Sequence, residues 1–168
     1  MEHQTLEQSL RSGALDQRLA AVYGAEGLAA AKERCAVAAA GFTKTFESLP
    51  EAFFSAPGRT ELGGNHTDHQ HGRVLAAAVD LDILAAAAPN QSGMLRIQSQ
   101  GYPMIVVDLR ELTPQSGEEN TSAALIRGVA ARLAAMGHPV AGFDAYTTSN
   151  VLKGSGLSSS AAFETIVG

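Results

Sequence analysis

The chain is organised around the stretch Leu152-Lys153-Gly154-Ser155-Gly156-Leu157-Ser158-Ser159-Ser160-Ala161-Ala162. It follows a predicted strand at 143–149 and leads into an apolar, alanine-led segment that is typical of a helix. Glycines let backbone N–H groups approach a ligand closely, and serines cap a helix start and add hydroxyl donors. With the partial positive charge of a helix N-terminus, these features predict a cradle for a chain of phosphates. The simpler alternative is a serine-capped helix after a glycine turn.

Spacing excludes two common phosphate motifs. A Walker A loop needs four residues between its glycines, followed by Lys-Ser or Lys-Thr, whereas Lys153 precedes the glycines here. The dinucleotide motif G-x-G-x-x-G is excluded because Ser159 stands where the third glycine would be.

Composition narrows the class of protein. With 168 residues, 45% of them hydrophobic and 17% charged, the chain can form one globular domain with a core. A net charge of −5 without a basic stripe argues against general nucleic-acid binding. The sequence has no apolar run long enough for a membrane span and no signal-type start, so we expect a cytoplasmic protein. The single cysteine, Cys35, excludes an internal disulfide framework and is interpreted as a small buried residue rather than a reactive thiol.

The order of predicted elements favours an α+β fold, a mixed sheet with helices packed on it, over a strictly alternating doubly wound sheet. The predicted helices are 4–23 with a break at Gly13 and an end at Gly24, 25–41 capped by Gly41, and one from Thr121 or Asn120 to about Met136. The predicted strands are 51–56 ending at Pro57-Gly58, 73–80, 81–88, 94–98, 104–109 and 143–149.

A second polar stretch, Gly58 to Gly72, has three interpretations. Arg59, Asn65, His66 and Asp68 supply donors and acceptors that glycines could fold into a pocket for a hydroxyl-rich substrate. A metal site is a weaker alternative, because the spacing H-x-x-H-x-H is not a strong zinc pattern. It would use His66, His69, His71 and Asp68. The third possibility is a glycine-rich turn with solvated histidines.

Together the two stretches resemble one superfamily of small-molecule kinases. Gly58-Arg59-x-x-Leu62-x-Gly64-x-His66-Thr67-Asp68 resembles the sugar-binding signature of galactokinases. Gly154 to Ala161 resembles the phosphate loop of their superfamily, which also includes homoserine, mevalonate and phosphomevalonate kinases. The order and separation of the motifs match as well, over about residues 50–168. The resemblance implies an N-terminal lobe of the ribosomal protein S5 domain 2-like type, with a helical segment at 1–49 ahead of the sheet, sugar loop and phosphate loop at 50–168.

The resemblance also implies roles for individual residues. Arg59 would be catalytic, since a fixed cation offsets charge that develops on the transferring phosphoryl group. The implied substrate-binding residues are Glu61, Asn65, His66 and Asp68. The implied nucleotide-binding residues are Lys153, Gly154, Ser155, Gly156, Leu157, Ser158, Ser159 and Ser160. Ser160 would also contact Mg²⁺, so ATP and Mg²⁺ are the expected co-substrate and metal.

The expected reaction is ATP-dependent phosphorylation of the anomeric hydroxyl of galactose to galactose 1-phosphate. Asn65 bears on this choice, because galactokinases usually have a glutamate there that contacts the 6-hydroxyl of the sugar. A neutral residue removes repulsion toward a 6-carboxylate, so galacturonate, or a related sugar, is the alternative substrate, although Glu61 adds a negative charge nearby. Glu61, Gly63 and Asn65 all differ from the residues that galactokinases usually have at these positions. These differences also fit a non-catalytic sensor of sugar and ATP.

We expect this chain to be the front part of a longer protein. In the family, an aspartate beside the phosphorylated hydroxyl and a glutamate that holds Mg²⁺ lie downstream, beyond Gly168. The 168-residue chain alone should therefore be catalytically inactive. It should also self-associate, because the surface meant for a C-terminal lobe would be exposed.

Overall fold

The computed structural model describes residues 5–64, 71–151 and 156–168. Over this part of the chain, the structure contains four helices and five strands. They are α1 (Leu6–Ser12), α2 (Asp16–Phe46), β1 (Ala52–Gly63), β2 (Leu75–Pro89), β3 (Met94–Ser99), β4 (Ile105–Asp108), α3 (Ser122–Ala135), β5 (Phe143–Ser149) and α4 (Ser159–Val167). No helix of the described residues is both long enough and apolar enough to cross a membrane.

The strands form one mixed sheet in the order β1-β2-β5-β3-β4. β2 pairs antiparallel with β1 and with β5, and β4 pairs antiparallel with β3. β3 and β5 are parallel, with α3 in the connection that joins β4 to β5. The predicted α+β fold, a mixed sheet with helices packed on it, is confirmed.

Helices cover both faces of the sheet. Leu84 and Ala86 of β2 pack with residues of α1 and α2, whereas Ala87 packs with residues of α3 and α4. Successive strand residues point to opposite faces, so these contacts place α1 and α2 on one side and α3 and α4 on the other. Cys35 is fully buried in the first of these clusters, and burial raises the pKa of its thiol to about 11. The prediction of an inert, buried cysteine is confirmed.

β1 is longer than predicted, because it does not end at Pro57-Gly58. The strand continues to Gly63, with a shift in its pairing register between Pro57 and Arg59. β1 pairs with β2 alone within the described residues, so the missing N–H of Pro57 is tolerated at this edge. The predicted strands at 73–80 and 81–88 are likewise one strand, β2, since no turn residue separates Asp80 from Leu81.

The sequence predicts helix ends at two glycines that lie within α2, Gly24 and Gly41. Gly24 has φ 75° and ψ 165°, so the helical geometry is interrupted where a helix end is predicted, but α2 continues beyond it with a kink. The predicted cap at Gly41 is wrong, because α2 continues to Phe46. A Cβ on Gly41 would lie 2.4 Å from the ring of Tyr146 on β5, so this glycine allows the helix to approach the sheet.

Two other predicted helix ends hold. Gly13 ends α1 in a left-handed conformation with φ 79°. Thr121 caps α3, as expected, by accepting a hydrogen bond from the N–H of Ala124.

Candidate active site at the junction of β1 and α4

The distal half of β1 contacts the segment that leads into α4. The backbone N–H of Arg59 donates a hydrogen bond of 3.0 Å to the carbonyl of Leu157. Gly58, which is buried, lies so close that a Cβ on it would be 2.9 Å from the same carbonyl oxygen. The two stretches that the sequence analysis singled out, 98 positions apart at these residues, therefore meet in the fold.

Arg59 presents an exposed side chain at this junction. On β1 it pairs with Ala78 of β2, and Glu61, two residues further along, pairs with Ala76 and is partly buried. A guanidinium that is in water and anchored through its own backbone is available to an anion. Arg59 and Glu61 thus lie on one strand, six and four residues before Asn65 of the predicted sugar loop.

The start of α4 supplies free N–H groups and hydroxyls. Gly156 has φ 76°, and Ser158, at the N-cap, has φ 57° and makes no side-chain hydrogen bond to the helix. The expectation that a serine side chain caps this helix is wrong. Side-chain capping requires an extended backbone at the N-cap, whereas Ser158 has a left-handed backbone. Ser159 and Ser160 follow in the first turn, and the side chain of Ser160 is exposed. Within the described residues, the N–H groups of the first turn have no side-chain cap, so they and the partial positive charge of the helix N-terminus are available for an anion.

The residues just before the predicted phosphate loop are hydrogen-bonded to β2. Asn150 donates its N–H to the carbonyl of Asp82 at 3.2 Å, and its side-chain oxygen accepts from the N–H of Asp82 at 2.7 Å. Val151, the next residue, is buried. These contacts extend the β2–β5 pairing to Asn150, two residues before the phosphate stretch begins.

Asp82 itself is a buried carboxylate that sequence reasoning missed. Its Oδ2 accepts hydrogen bonds of 2.5 Å from the hydroxyls of Tyr23 and Ser55, and its Oδ1 lies 2.7 Å from Nη2 of Arg34. Burial, and then the hydrogen bond to Asp82, raise the pKa of Tyr23 to about 12. The available signal was an aspartate between Leu81 and Ile83 in an apolar strand, where a charge needs partners.

Several predicted site residues lie outside the described residues. They are Asn65, His66 and Asp68 of the sugar loop, and Lys153, Gly154 and Ser155 of the phosphate loop. Of the histidines in the alternative metal site, only His71 is described, and it is exposed with φ 61°. Within 5–64, 71–151 and 156–168, no group of three or more His, Cys, Asp or Glu side chains is arranged to hold a metal ion.

Comparison with known proteins gives both a family signature and full-length relatives. Residues 40–89 match the family profile described as the galactokinase galactose-binding signature. The chain is 35% identical over 126 residues to the galactokinase of Streptomyces coelicolor, an alignment that covers 75% of this chain and 33% of that protein. It is 35% identical over 131 residues to the galactokinase of Streptococcus mutans, covering 76% of this chain and 33% of that protein. The chain spans about a third of the length of the curated relatives it matches.

Solved structures share the fold. The galactokinase of Lactococcus lactis, crystallised with galactose, superposes with a TM-score of 0.62 at 24% identity, over 94% of this chain and 35% of that chain. The mevalonate kinase of Methanococcus jannaschii superposes with a TM-score of 0.55 at 18% identity, over 69% of this chain and 38% of that chain. At these identities the likeness establishes a shared fold, with a mixed sheet and packed helices.

Proposed function

Since this chain is related to the galactokinases over three quarters of its length, we propose that it forms the N-terminal part of an ATP-dependent sugar kinase. The proposed reaction transfers the γ-phosphoryl group of ATP to the anomeric hydroxyl of galactose and yields galactose 1-phosphate and ADP. The observation that supports it most is the hydrogen bond from the N–H of Arg59 to the carbonyl of Leu157. This bond joins the proposed catalytic arginine to the segment proposed to bind ATP.

The start of α4 is proposed to hold the nucleotide phosphates. Its free N–H groups and the partial positive charge of its N-terminus favour an anion. Ser158 supports this role, because its hydroxyl is not used in capping the helix. Lys153, Gly154 and Ser155, outside the described residues, are assigned to the same site from the sequence alone, as are Gly156, Leu157 and Ser159.

Arg59 is proposed to stabilise the transition state. As the sugar oxygen bonds to the γ-phosphorus and the bond to the departing ADP oxygen breaks, negative charge spreads over the phosphoryl oxygens. A guanidinium held in place before the reaction stabilises that charge without having to reorganise. The proton of the sugar hydroxyl is proposed to pass to an aspartate from another part of the protein, such assistance being typically worth about 10²–10⁴-fold.

The described residues fit Mg²⁺ when it is bound together with ATP. Ser160 offers a hydroxyl oxygen, which is the donor type that this cation prefers, on an exposed first turn of α4. The described part of the chain holds no carboxylate cluster that could bind the ion alone. Mg²⁺ that arrives with nucleotide phosphates and keeps several waters does not need such a cluster. When bound, it would neutralise phosphate charge.

Sugar binding is proposed for Glu61 together with Asn65, His66 and Asp68. Galacturonate is the second candidate substrate because Asn65 is neutral, whereas the galactokinases that this stretch resembles usually have a glutamate at that position. Two carboxylates about 4 Å apart repel by about 4 kcal/mol at an effective dielectric near 20, and Asn65 removes one of them.

ADP release from the whole protein, measured with galactose, galacturonate or no sugar, tests the proposal. We expect galactose-dependent release that is lost when Arg59 is replaced. A preference for galacturonate would change the substrate but keep the kinase. Binding of sugar and ATP without any release would replace the kinase with a sensor.

The 168-residue chain by itself is proposed to be inactive and to self-associate, and the whole protein to act in the cytoplasm. Light scattering at tens of micromolar should show a dimer or a larger species of the isolated chain. A monomer that released ADP in a sugar-dependent manner would contradict this part of the proposal.

A further inference from the structure

We propose that Gly58 is a positioning residue for phosphoryl transfer. The absence of a side chain at this position lets the carbonyl of Leu157 reach the N–H of Arg59, and this contact fixes Arg59 relative to the start of α4. The inference rests on the proposed function, in which Arg59 and α4 act on the same phosphates.

Gly58 packs against the backbone of Leu157 and the side chains of Val79 and Val151. A Cβ added to it would lie 2.9 Å from the carbonyl oxygen of Leu157, 3.2 Å from Cγ2 of Val79 and 3.3 Å from Cγ1 of Val151. The nearest atom is a backbone oxygen, which cannot turn aside as a side-chain end can. A methyl group at this position therefore displaces the loop carbonyl or the strand.

The need at Gly58 is for space rather than for an unusual backbone. Its φ does not lie in the left-handed region, unlike that of Gly64 or Gly156. Alanine can adopt the backbone of Gly58, so its substitution tests the contact with the loop and not backbone strain.

The pairing of β1 explains why the N–H of Arg59 reaches the loop. The register between β1 and β2 shifts between Pro57 and Arg59, next to Gly58. Such irregularities re-aim the backbone of an edge strand. Here the N–H of Arg59 donates to the carbonyl of Leu157, and the neighbouring Gly58 and Val151 are buried.

The test compares two glycine-to-alanine substitutions in the whole protein. Gly58→Ala introduces the clash, whereas Gly128→Ala in α3 is the matched control, since a Cβ on Gly128 meets no atom of the described residues within 4 Å. A misplacement of about 1 Å can reduce a rate about 10²-fold. We expect Gly58→Ala to lower kcat about 10- to 100-fold while the sugar KM changes less than about 3-fold. Gly128→Ala should leave both constants near wild type.

Hydrogen exchange reports on the contact without depending on activity. In Gly58→Ala, the amide of Arg59 should exchange faster, because its hydrogen bond to Leu157 lengthens. The amides of the β2–β5 pairing should keep their protection, which shows that the variant is folded. In Gly128→Ala, the amide of Arg59 should exchange at the wild-type rate.

A double variant, Gly58→Ala with Val79→Ala, removes one side-chain contact and leaves the clash with the Leu157 carbonyl. The double variant also provides the test if Gly58→Ala alone does not fold. Its kcat should stay low, and recovery to the level of Val79→Ala alone would overturn the inference.

The outcomes separate the two proposals. A wild-type protein that phosphorylates no sugar would overturn the proposed function and the catalytic role of Gly58 with it. An active wild type whose Gly58→Ala variant matches Gly128→Ala in kcat and in Arg59 exchange would overturn the positioning role alone.

Discussion

Charged side chains on the α2 face of the sheet and at the junction of β1 and α4 have opposite environments. On the α2 face, Asp82 and Asp144 are 4% and 5% exposed, and each is held by an arginine and by hydrogen-bond donors. Arg96 donates two hydrogen bonds of 2.6 Å to Asp144 and lies 5.5 Å from the ring centroid of Phe46. At the junction, the side chains of Arg59 and Ser160 are exposed.

This difference separates structural charges from charges available to a ligand. A buried carboxylate with all its partners in the protein holds elements together and has nothing left to bind a substrate. An exposed arginine whose backbone is fixed retains all its donors for phosphate. Substitutions on the α2 face should therefore change stability, and substitutions at the junction should change catalysis.

The largest expected effect is that of Arg59→Ala. Removal of a fixed group that stabilises transition-state charge typically lowers kcat about 10²–10³-fold. Because the side chain of Arg59 is exposed, the midpoint of urea unfolding should change little. Kinetics and unfolding of the whole protein measure both, with Arg18→Ala, an exposed arginine on α2, as the control. A loss of stability without loss of kcat would remove the contrast between the two regions.

Asp82→Ala should produce the opposite pattern. It leaves the guanidinium of Arg34, 24% exposed, without its carboxylate, and breaking a pair of this kind reduces the free energy of unfolding by about 3 kcal/mol. The kcat of the folded protein should stay within about 3-fold of wild type, since the contacts of Asp82 with Asn150 use its backbone. Urea denaturation measures the change, and Asp80→Ala, an exposed aspartate on the same strand, is the matched control.

A double-mutant cycle sharpens this second prediction. The double variant Arg34→Met with Asp82→Ala should lose less unfolding free energy than the sum of the two single variants. Each single variant leaves one charge without its partner, whereas the double variant leaves neither. Additive losses would mean that the two side chains do not stabilise each other.

Gly41→Ala tests the packing of the α2 face. The added Cβ would lie 2.4 Å from the Tyr146 ring, and overpacking of this kind costs about 1–3 kcal/mol of unfolding free energy. Gly128→Ala in α3 is the control, since its Cβ would meet no atom of the described part of the chain within 4 Å. It should stabilise the protein by about 0.5–1 kcal/mol through helix propensity. Equal melting temperatures for the two variants would contradict the close approach of α2 to β5.

Tyr23→Phe should have the smallest effect, and one that depends on pH. Loss of its hydrogen bond to the Asp82 carboxylate should lower the unfolding free energy by about 1.5 kcal/mol at pH 8. The pKa of Tyr23 is raised from 10.0 to about 12 in the folded protein, so between these values the unfolded chain loses a proton that the folded chain keeps. The advantage of wild type over the variant is therefore fully present below pH 10 and shrinks as pH rises toward 12. Urea denaturation from pH 8 to 11 checks this, and a gap that stays constant would show that Tyr23 titrates normally.

Local patterns in the sequence predicted much of the fold. The Thr121 cap, the break at Gly13, the buried Cys35 and strand β5 each depend on a few neighbouring residues. The proximity of Arg59 to the phosphate stretch came from the resemblance to galactokinases, and the Arg59–Leu157 hydrogen bond now gives it a structural basis.

Features that depend on distant residues were missed. Gly41 looks like a helix cap until Tyr146, 105 positions later, is known to pack against it. Gly58 looks like the end of a strand until the carbonyl of Leu157 is found beside it. Asp82 is explained only by its partners, of which Tyr23 and Ser55 are 59 and 27 positions away. Periodicity and turn chemistry carry no information about such contacts.

A crystal structure of the whole protein with galactose, Mg²⁺ and a non-hydrolysable ATP analogue tests the central claim most directly. We expect the γ-phosphate to lie between the guanidinium of Arg59 and the first turn of α4, within hydrogen-bond distance of both. A nucleotide bound elsewhere, or bound at α4 with the Arg59 side chain turned away from its phosphates, would contradict the account.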